Sequence, residues 1–217
     1  MLYKLARIIA RILFKVYFRL EVEGLEHLPR EGGCILVANH TSLLDPLVIC
    51  AASPRVIHYI TYAFFYYHPA IHWFCKRAYC IPVKKEGNDI SALKNALRLL
   101  KDGEMVGIFP EGVRSATGLL APAEPGVALM AIKAGAPIVP IGIQGAYDAF
   151  PKGACLPKPK KVKMVVGSPF YLRDHVAIER KLTEEMQQQA LSVIMSRIGE
   201  HCGQQMPSIL NISLKTL

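Results

Sequence analysis

An α/β fold, a single domain with a mostly parallel or mixed central sheet flanked by helices, follows from three observations. Short apolar runs at residues 34–38, 105–109 and 137–143 have the composition of strands buried on both faces. They alternate with segments of helical spacing, such as Leu93, Ala96, Leu97 and Leu100, and later Ile178, Leu182, Met186, Ala190, Ile194 and Ile198. The 217 residues are enough for one domain to bury its own core without disulfide or metal support.

The elements follow in order. Residues 18–22 read as a short strand or linker, and Glu31, Gly32 and Gly33 as turn residues. Residues 34–38 form a buried strand, residues 39–46 are polar punctuation, and residues 47–52 continue as an apolar helix. A strand over 56–61, an aromatic-rich helix over 63–76 and a strand over 79–83 come next. A helix over 90–101 is closed by Gly103, and a strand runs over 105–109. A helix over 126–134 ends at Gly135; strands over 137–143 and 162–166 and a helix over 178–198 complete the set.

Composition narrows the partners. Apolar residues make up 52% of the chain, mean hydropathy is +0.26, net charge is +9 and the isoelectric point is about 9.3. High apolar content together with basic charge favours an anionic lipid or phosphate partner over nucleic acid. The six cysteines form no Cys-x-x-Cys pair, and a reducing compartment is expected.

The first twenty residues carry Lys4, Arg7, Arg11, Lys15 and Arg19, with no acidic residue before Glu21. On a helix these charges share an arc of roughly 120°, and apolar side chains fill the rest. Charges along the whole length argue against a spanning helix and against a signal peptide. Two uses remain: a helix lying in a membrane interface, or one packed on its own domain. The expected division is residues 1–20 as a membrane-association helix and residues 21–217 as the main domain.

Two strand-exit segments carry chemistry. The first is Asn39-His40-Thr41-Ser42-Leu43-Leu44-Asp45-Pro46. A histidine serves as general base near neutral pH when a carboxylate holds its other ring N–H. Five positions along one helix separate two side chains by roughly 140°, so His40 must precede the helix that Asp45 joins. The second is Phe109-Pro110-Glu111-Gly112-Val113-Arg114-Ser115. Its Pro and Gly force a tight loop, and Arg114 offers a planar fork suited to phosphate. Taken singly, each segment is also an ordinary solvated strand exit.

Together and in this order the two segments resemble the glycerolipid acyltransferase family, in particular the 1-acylglycerol-3-phosphate acyltransferase type. That family's first block reads Asn-His-x-x-x-x-Asp and its third Phe-Pro-Glu-Gly-Thr-Arg-Ser; here Val113 replaces the threonine. Its fourth block, an apolar strand with a central proline, matches Ile138-Val139-Pro140-Ile141. The resemblance runs from about Val22 to Phe170. The second block departs: in place of a strand end closing on Asp-Arg the chain has Ile81-Pro82-Val83-Lys84-Lys85, and either lysine can supply the charge.

The resemblance implies a transfer of a fatty acyl chain from a thioester donor, acyl-CoA or acyl carrier protein, to the 2-hydroxyl of a lysophospholipid acceptor, 1-acylglycerol 3-phosphate, giving phosphatidic acid. Glycerol 3-phosphate or another lysolipid is the nearby alternative acceptor, and a catalytically silent membrane-binding protein the distant one. His40 and Asp45 are the implied catalytic pair. Glu111, Gly112 and Arg114, with Lys84, Lys85 and Pro140, are the implied substrate-binding set. No cofactor and no metal are required, and residues 21–217 become the acyltransferase domain. The expected location is the cytoplasmic face of the cell membrane, peripheral or monotopic on an anionic surface.

Other features carry less. His68, His72 and Cys75 share a helical face of metal-binding spacing, but Pro69 intervenes and no fourth ligand follows. The run Pro157-Lys158-Pro159-Lys160-Lys161-Val162-Lys163 is open to three uses: a nucleic-acid or import patch, a solvated loop, or a second contact with anionic lipid.

Overall fold

The computed structural model describes residues 2–69, 72–84, 89–179 and 181–205. Its centre is a seven-stranded sheet of β1 (Glu21–Glu23), β2 (Cys34–Ala38), β3 (Ile57–Tyr62), β4 (Ile81–Val83), β5 (Met105–Ile108), β6 (Ile138–Gln144) and β7 (Lys163–Val166). The spatial order is β1-β7-β6-β2-β5-β3-β4. Strands β2 to β6 run parallel, while β7 is antiparallel to β6 and carries β1 with it.

The helices are α1 (Leu2–Tyr17), α2 (Asp45–Ala52), α3 (Ala63–Tyr66), α4 (His72–Arg77), α5 (Ile90–Lys101), α6 (Pro125–Ala134), α7 (Ala146–Ala149) and α8 (Glu184–Cys202). Alternate residues of β2 point to opposite faces, so the sheet carries two cores. Leu36 and Ala38 join Phe14, Phe18, Val48 and Ile49 on the α1 and α2 side. Ile35 and Val37 join Ala96, Ala128, Ile194 and Ile198 on the α5, α6 and α8 side.

Several elements differ from the sequence expectation. The aromatic helix over 63–76 is broken into α3 and α4, with Pro69 between them. The C-terminal helix begins at Glu184, because the Thr183 hydroxyl accepts from the Met186 N–H and caps it; Ile178 stays outside, exposed. The short α7 after β6 was not anticipated.

Helix α1 packs on α2 through Phe14, with Phe18 just past its end in the same core, so the packed-helix use of the N-terminal segment is real. Arg11 donates from Nη2 to the Ala52 carbonyl (3.1 Å) and from Nε to the Ala51 carbonyl. A guanidinium there satisfies orphan carbonyls and opposes the negative end of the α2 dipole. Arg11 is therefore a cap for α2, which corrects its assignment to a headgroup-facing stripe. The opposite face of α1 is uncovered: Ile8, Ile9, Ile12, Leu13 and Val16 are all exposed, Val16 to 74%. The side chains of Lys4 and Arg7 lie outside the described residues. No helix among the described residues is long and apolar enough to cross a membrane.

Candidate active site

Every loop that leaves a parallel strand at its carboxyl end opens on one edge of the sheet, where ligands of open α/β sheets sit. The loop after β2 places His40 outside the helix that Asp45 begins, as the geometry demanded. The His40 Nδ1–H donates to Asp45 Oδ2 at 2.9 Å. That same oxygen accepts from the Thr41 N–H and the Ser42 N–H, both at 2.7 Å. Asp45 is fully buried, and its Oδ1 is a buried atom without a hydrogen-bond partner among the described residues. One carboxylate oxygen thus folds the loop and fixes the imidazole tautomer, leaving the Nε2 lone pair as the ring's open end. The His40 side chain is 16% accessible.

The ring is also held by its face. Phe109 stacks on His40 with centroids 4.1 Å apart, and Tyr59 stacks on Phe109 at 5.8 Å. Tyr59 crosses β5 at Gly107, where an added Cβ would lie 2.6 Å from the tyrosine ring. Only glycine there lets the three rings align.

The loop after β5 grips the main chain of His40 from both sides. Glu111 Oε1 accepts the His40 N–H at 2.8 Å, and the Ser115 N–H donates to the His40 carbonyl at 2.8 Å. Glu111 Oε2 accepts the Ala121 N–H at 3.0 Å, tying in the segment before α6. Glu111 is 3% exposed. Burial pushes its carboxyl up to about 7, against the pull of the two main-chain N–H groups and with a smaller push from Asp45.

The remaining expected residues are placed unevenly. Gly112 sits at φ +70° beside the Tyr62 hydroxyl, so the turn and the close approach both call for glycine. Arg114 is half-buried, one residue before the Ser115 whose N–H meets the His40 carbonyl, and enters no ion pair among the described residues. Lys84 is exposed at the exit of β4, three strand spacings or roughly 14 Å from β2. Lys85 lies outside the described residues. Pro140 is buried in mid-β6, level with Val37, roughly 10 Å down the strand from His40; it is not at the mouth.

A family model described as Acyltransferase matches residues 19–144, more than half of the chain. The chain belongs to the acyltransferase family. It is 28% identical over 181 residues to the 1-acyl-sn-glycerol-3-phosphate acyltransferase of Bacillus subtilis, covering 83% of this chain and 88% of that one. It is 29% identical over 171 residues to the chloroplastic acyltransferase BAT2 of Brassica napus, covering 77% of this chain and 49% of that longer protein. The crystal structure of the 1-acyl-sn-glycerophosphate acyltransferase PlsC from Thermotoga maritima superimposes with a TM-score of 0.70 at 25% identity, covering 94% of this chain and 83% of that one.

The arrangement leaves Nε2 as the open end of an oriented imidazole. The Ser42 hydroxyl donates to the Phe150 carbonyl (2.8 Å) and accepts from the Leu44 N–H (3.2 Å), so it is committed to the loop. No cluster of three or more metal-ligating side chains exists among the described residues.

Asn39 is the main residue to which no role had been given. Its side chain accepts from the Ile143 N–H (2.7 Å) and donates to the Ile143 carbonyl (2.8 Å), continuing the β2–β6 ladder past the end of β2. Its position directly between a buried strand and His40 is the only sequence signal. Asn39→Ala strands two buried main-chain groups, each costing about 1–3 kcal/mol. A drop in unfolding free energy of about 2–6 kcal/mol in urea titration is expected.

Proposed function

We propose that this acyltransferase moves a fatty acyl chain from acyl-CoA or acyl carrier protein to the 2-hydroxyl of 1-acylglycerol 3-phosphate, giving phosphatidic acid. The observation that carries it is the oriented His40–Asp45 pair, gripped by the same loop that presents Arg114. Nε2 takes the proton of the acceptor hydroxyl while its oxygen attacks the thioester carbonyl. The C–S bond then breaks, and the leaving thiolate recovers the proton from His40. Asp45 steadies the imidazolium between the two transfers. No covalent acyl-enzyme is needed.

Arg114 binds the acceptor phosphate through its planar fork. Gly112 keeps the approach to it open. Glu111, with both oxygens engaged by main-chain N–H groups, places the acceptor by holding the loops that flank it. Lys84 or Lys85 adds charge at a distance, and Pro140 acts only through the position of β6. The printed names of the Bacillus and Thermotoga relatives support the acceptor.

The test offers lysophosphatidic acid and glycerol 3-phosphate in parallel to the purified protein in detergent, with labelled acyl-CoA or acyl carrier protein. Label in phosphatidic acid is the expected result. Label only with glycerol 3-phosphate moves the acceptor; no product from any pairing makes the chain a membrane-binding protein without catalysis.

The outer face of α1 supports a membrane location for this chemistry. Its apolar row has no covering among the described residues. Ile12→Asp together with Val16→Asp is expected to shift the protein from the pellet to the supernatant with anionic liposomes, leaving its melting temperature unchanged.

A further inference from the structure

The loop over residues 151–160 belongs to neither the sheet nor the catalytic pair, yet it is anchored at both. The Ser42 hydroxyl holds its root at Phe150, two residues along the chain from His40. The Ala154 N–H donates to the Pro151 carbonyl (3.2 Å), and the Lys158 N–H to the Ala149 carbonyl (2.7 Å). The Tyr17 hydroxyl, at the end of α1, donates to the Pro157 carbonyl at 2.9 Å. The loop is therefore fixed against the helix whose apolar face is uncovered.

Its tip has the chemistry of an interfacial contact. Leu156 is 78% exposed, the most exposed large apolar side chain among the described residues. Lys152, Lys158 and Lys160 flank it, all exposed and in no ion pair among the described residues. Lys161 and Lys163, by contrast, are neutralised by Glu21 (2.7 Å) and Glu23 (2.9 Å). The charge left free is thus confined to the tip. Pro157 and Pro159 lack N–H groups, so fewer main-chain donors lose water if the tip enters a headgroup layer. Lysine stems reach upward to phosphates while the apolar residue sits below them.

We propose that residues 151–160 form a second membrane contact, in which Leu156 enters the interfacial layer and Lys152, Lys158 and Lys160 bind anionic phospholipid headgroups. The proposal rests on the reading of α1 as a membrane-lying helix, with which the loop is continuous through the Tyr17–Pro157 bond. It brings the root of the loop, and with it the His40 turn, toward the surface from which a lysophospholipid arrives.

Cys155 provides the probe. It is exposed beside Leu156, whereas Cys34, Cys75 and Cys202 are buried and Cys50 and Cys80 half-buried. The full chain, with Cys50→Ala and Cys80→Ala, is labelled at Cys155 with a polarity-sensitive fluorophore. It is mixed with vesicles of phosphatidylcholine alone or with phosphatidylglycerol, and vesicle sedimentation is measured in parallel. A blue shift and loss of aqueous quenching on the anionic vesicles are expected. Leu156→Ser should abolish the shift while α1 still sediments the protein. Lys158→Gln with Lys160→Gln should weaken binding roughly 25-fold, about fivefold for each lysine. A protein that sediments while the label stays water-exposed overturns the loop contact and leaves the α1 reading standing. A protein that stays in the supernatant overturns both. A shift produced by a single-stranded oligonucleotide and not by vesicles assigns the lysines to nucleic acid instead.

Discussion

Asp45→Asn is expected to lower kcat by about three to four orders of magnitude while the chain stays folded. Oδ2 accepts three donors, from His40 Nδ1 and from the main chains of Thr41 and Ser42. An asparagine has one acceptor oxygen to offer. If that oxygen takes the place of Oδ2, the loop survives, but the negative charge that steadies the imidazolium is gone. The amide nitrogen then sits where Oδ1 lies buried with no partner among the described residues. If the amide turns over, its N–H groups face three other N–H groups, and His40 loses its orienting bond. Either outcome starves the base, and neither removes apolar burial. Steady-state kinetics with a thermal melt beside them separate the two quantities. A variant with near-normal kcat would show that Asp45 serves the loop alone.

Glu111→Ala is expected to lose both stability and rate. It leaves the part-buried N–H groups of His40 and Ala121 without their acceptor, at about 1 kcal/mol each. The acceptor KM should move less than kcat, because both oxygens of the residue grip main-chain N–H groups, one of them that of the base. Glu111→Gln isolates the charge. The Glu111 carboxyl is raised from 4.5 to about 7, chiefly by burial. An acid with a raised folded-state pKa holds its proton more tightly when folded. Its contribution to stability is whole below about pH 4.5, declines as pH rises toward 7, and is lost above that. The span is on the order of 3 kcal/mol. Wild type minus Glu111→Gln, in urea titrations at pH 5 and pH 8, should show a loss of that sign; a difference that does not change with pH would contradict it.

The spacing of His40 and Asp45 already demanded a histidine outside the helix, and the structure has that arrangement because α2 begins at Asp45. Strand runs were legible wherever both faces are buried, since such strands are nearly all apolar. The α3–α4 break was legible in Pro69, which interrupts the helical face of His68, His72 and Cys75. Two roles were not legible at all. Asn39 meets Ile143 across 104 positions and Glu111 meets His40 across 71, and no local pattern encodes partners at that separation. Glu111 looked like a group facing the acceptor, yet both its oxygens point to main-chain donors. Arg11 misled for a related reason. Its place in the charge arc was read correctly, but α2 ends against that face of α1 and recruits the guanidinium.

The most direct measurement sets wild type and His40→Ala side by side with lysophosphatidic acid and labelled acyl-CoA or acyl carrier protein, following label into phosphatidic acid. A positioned base contributes about 10² to 10⁴ in rate. Removing the imidazole leaves Asp45 its two main-chain donors, so the loop should keep its fold. Phosphatidic acid from wild type, with His40→Ala reduced by that factor at an unchanged melting temperature, is the expected result. Equal product from both proteins would contradict a base at Nε2.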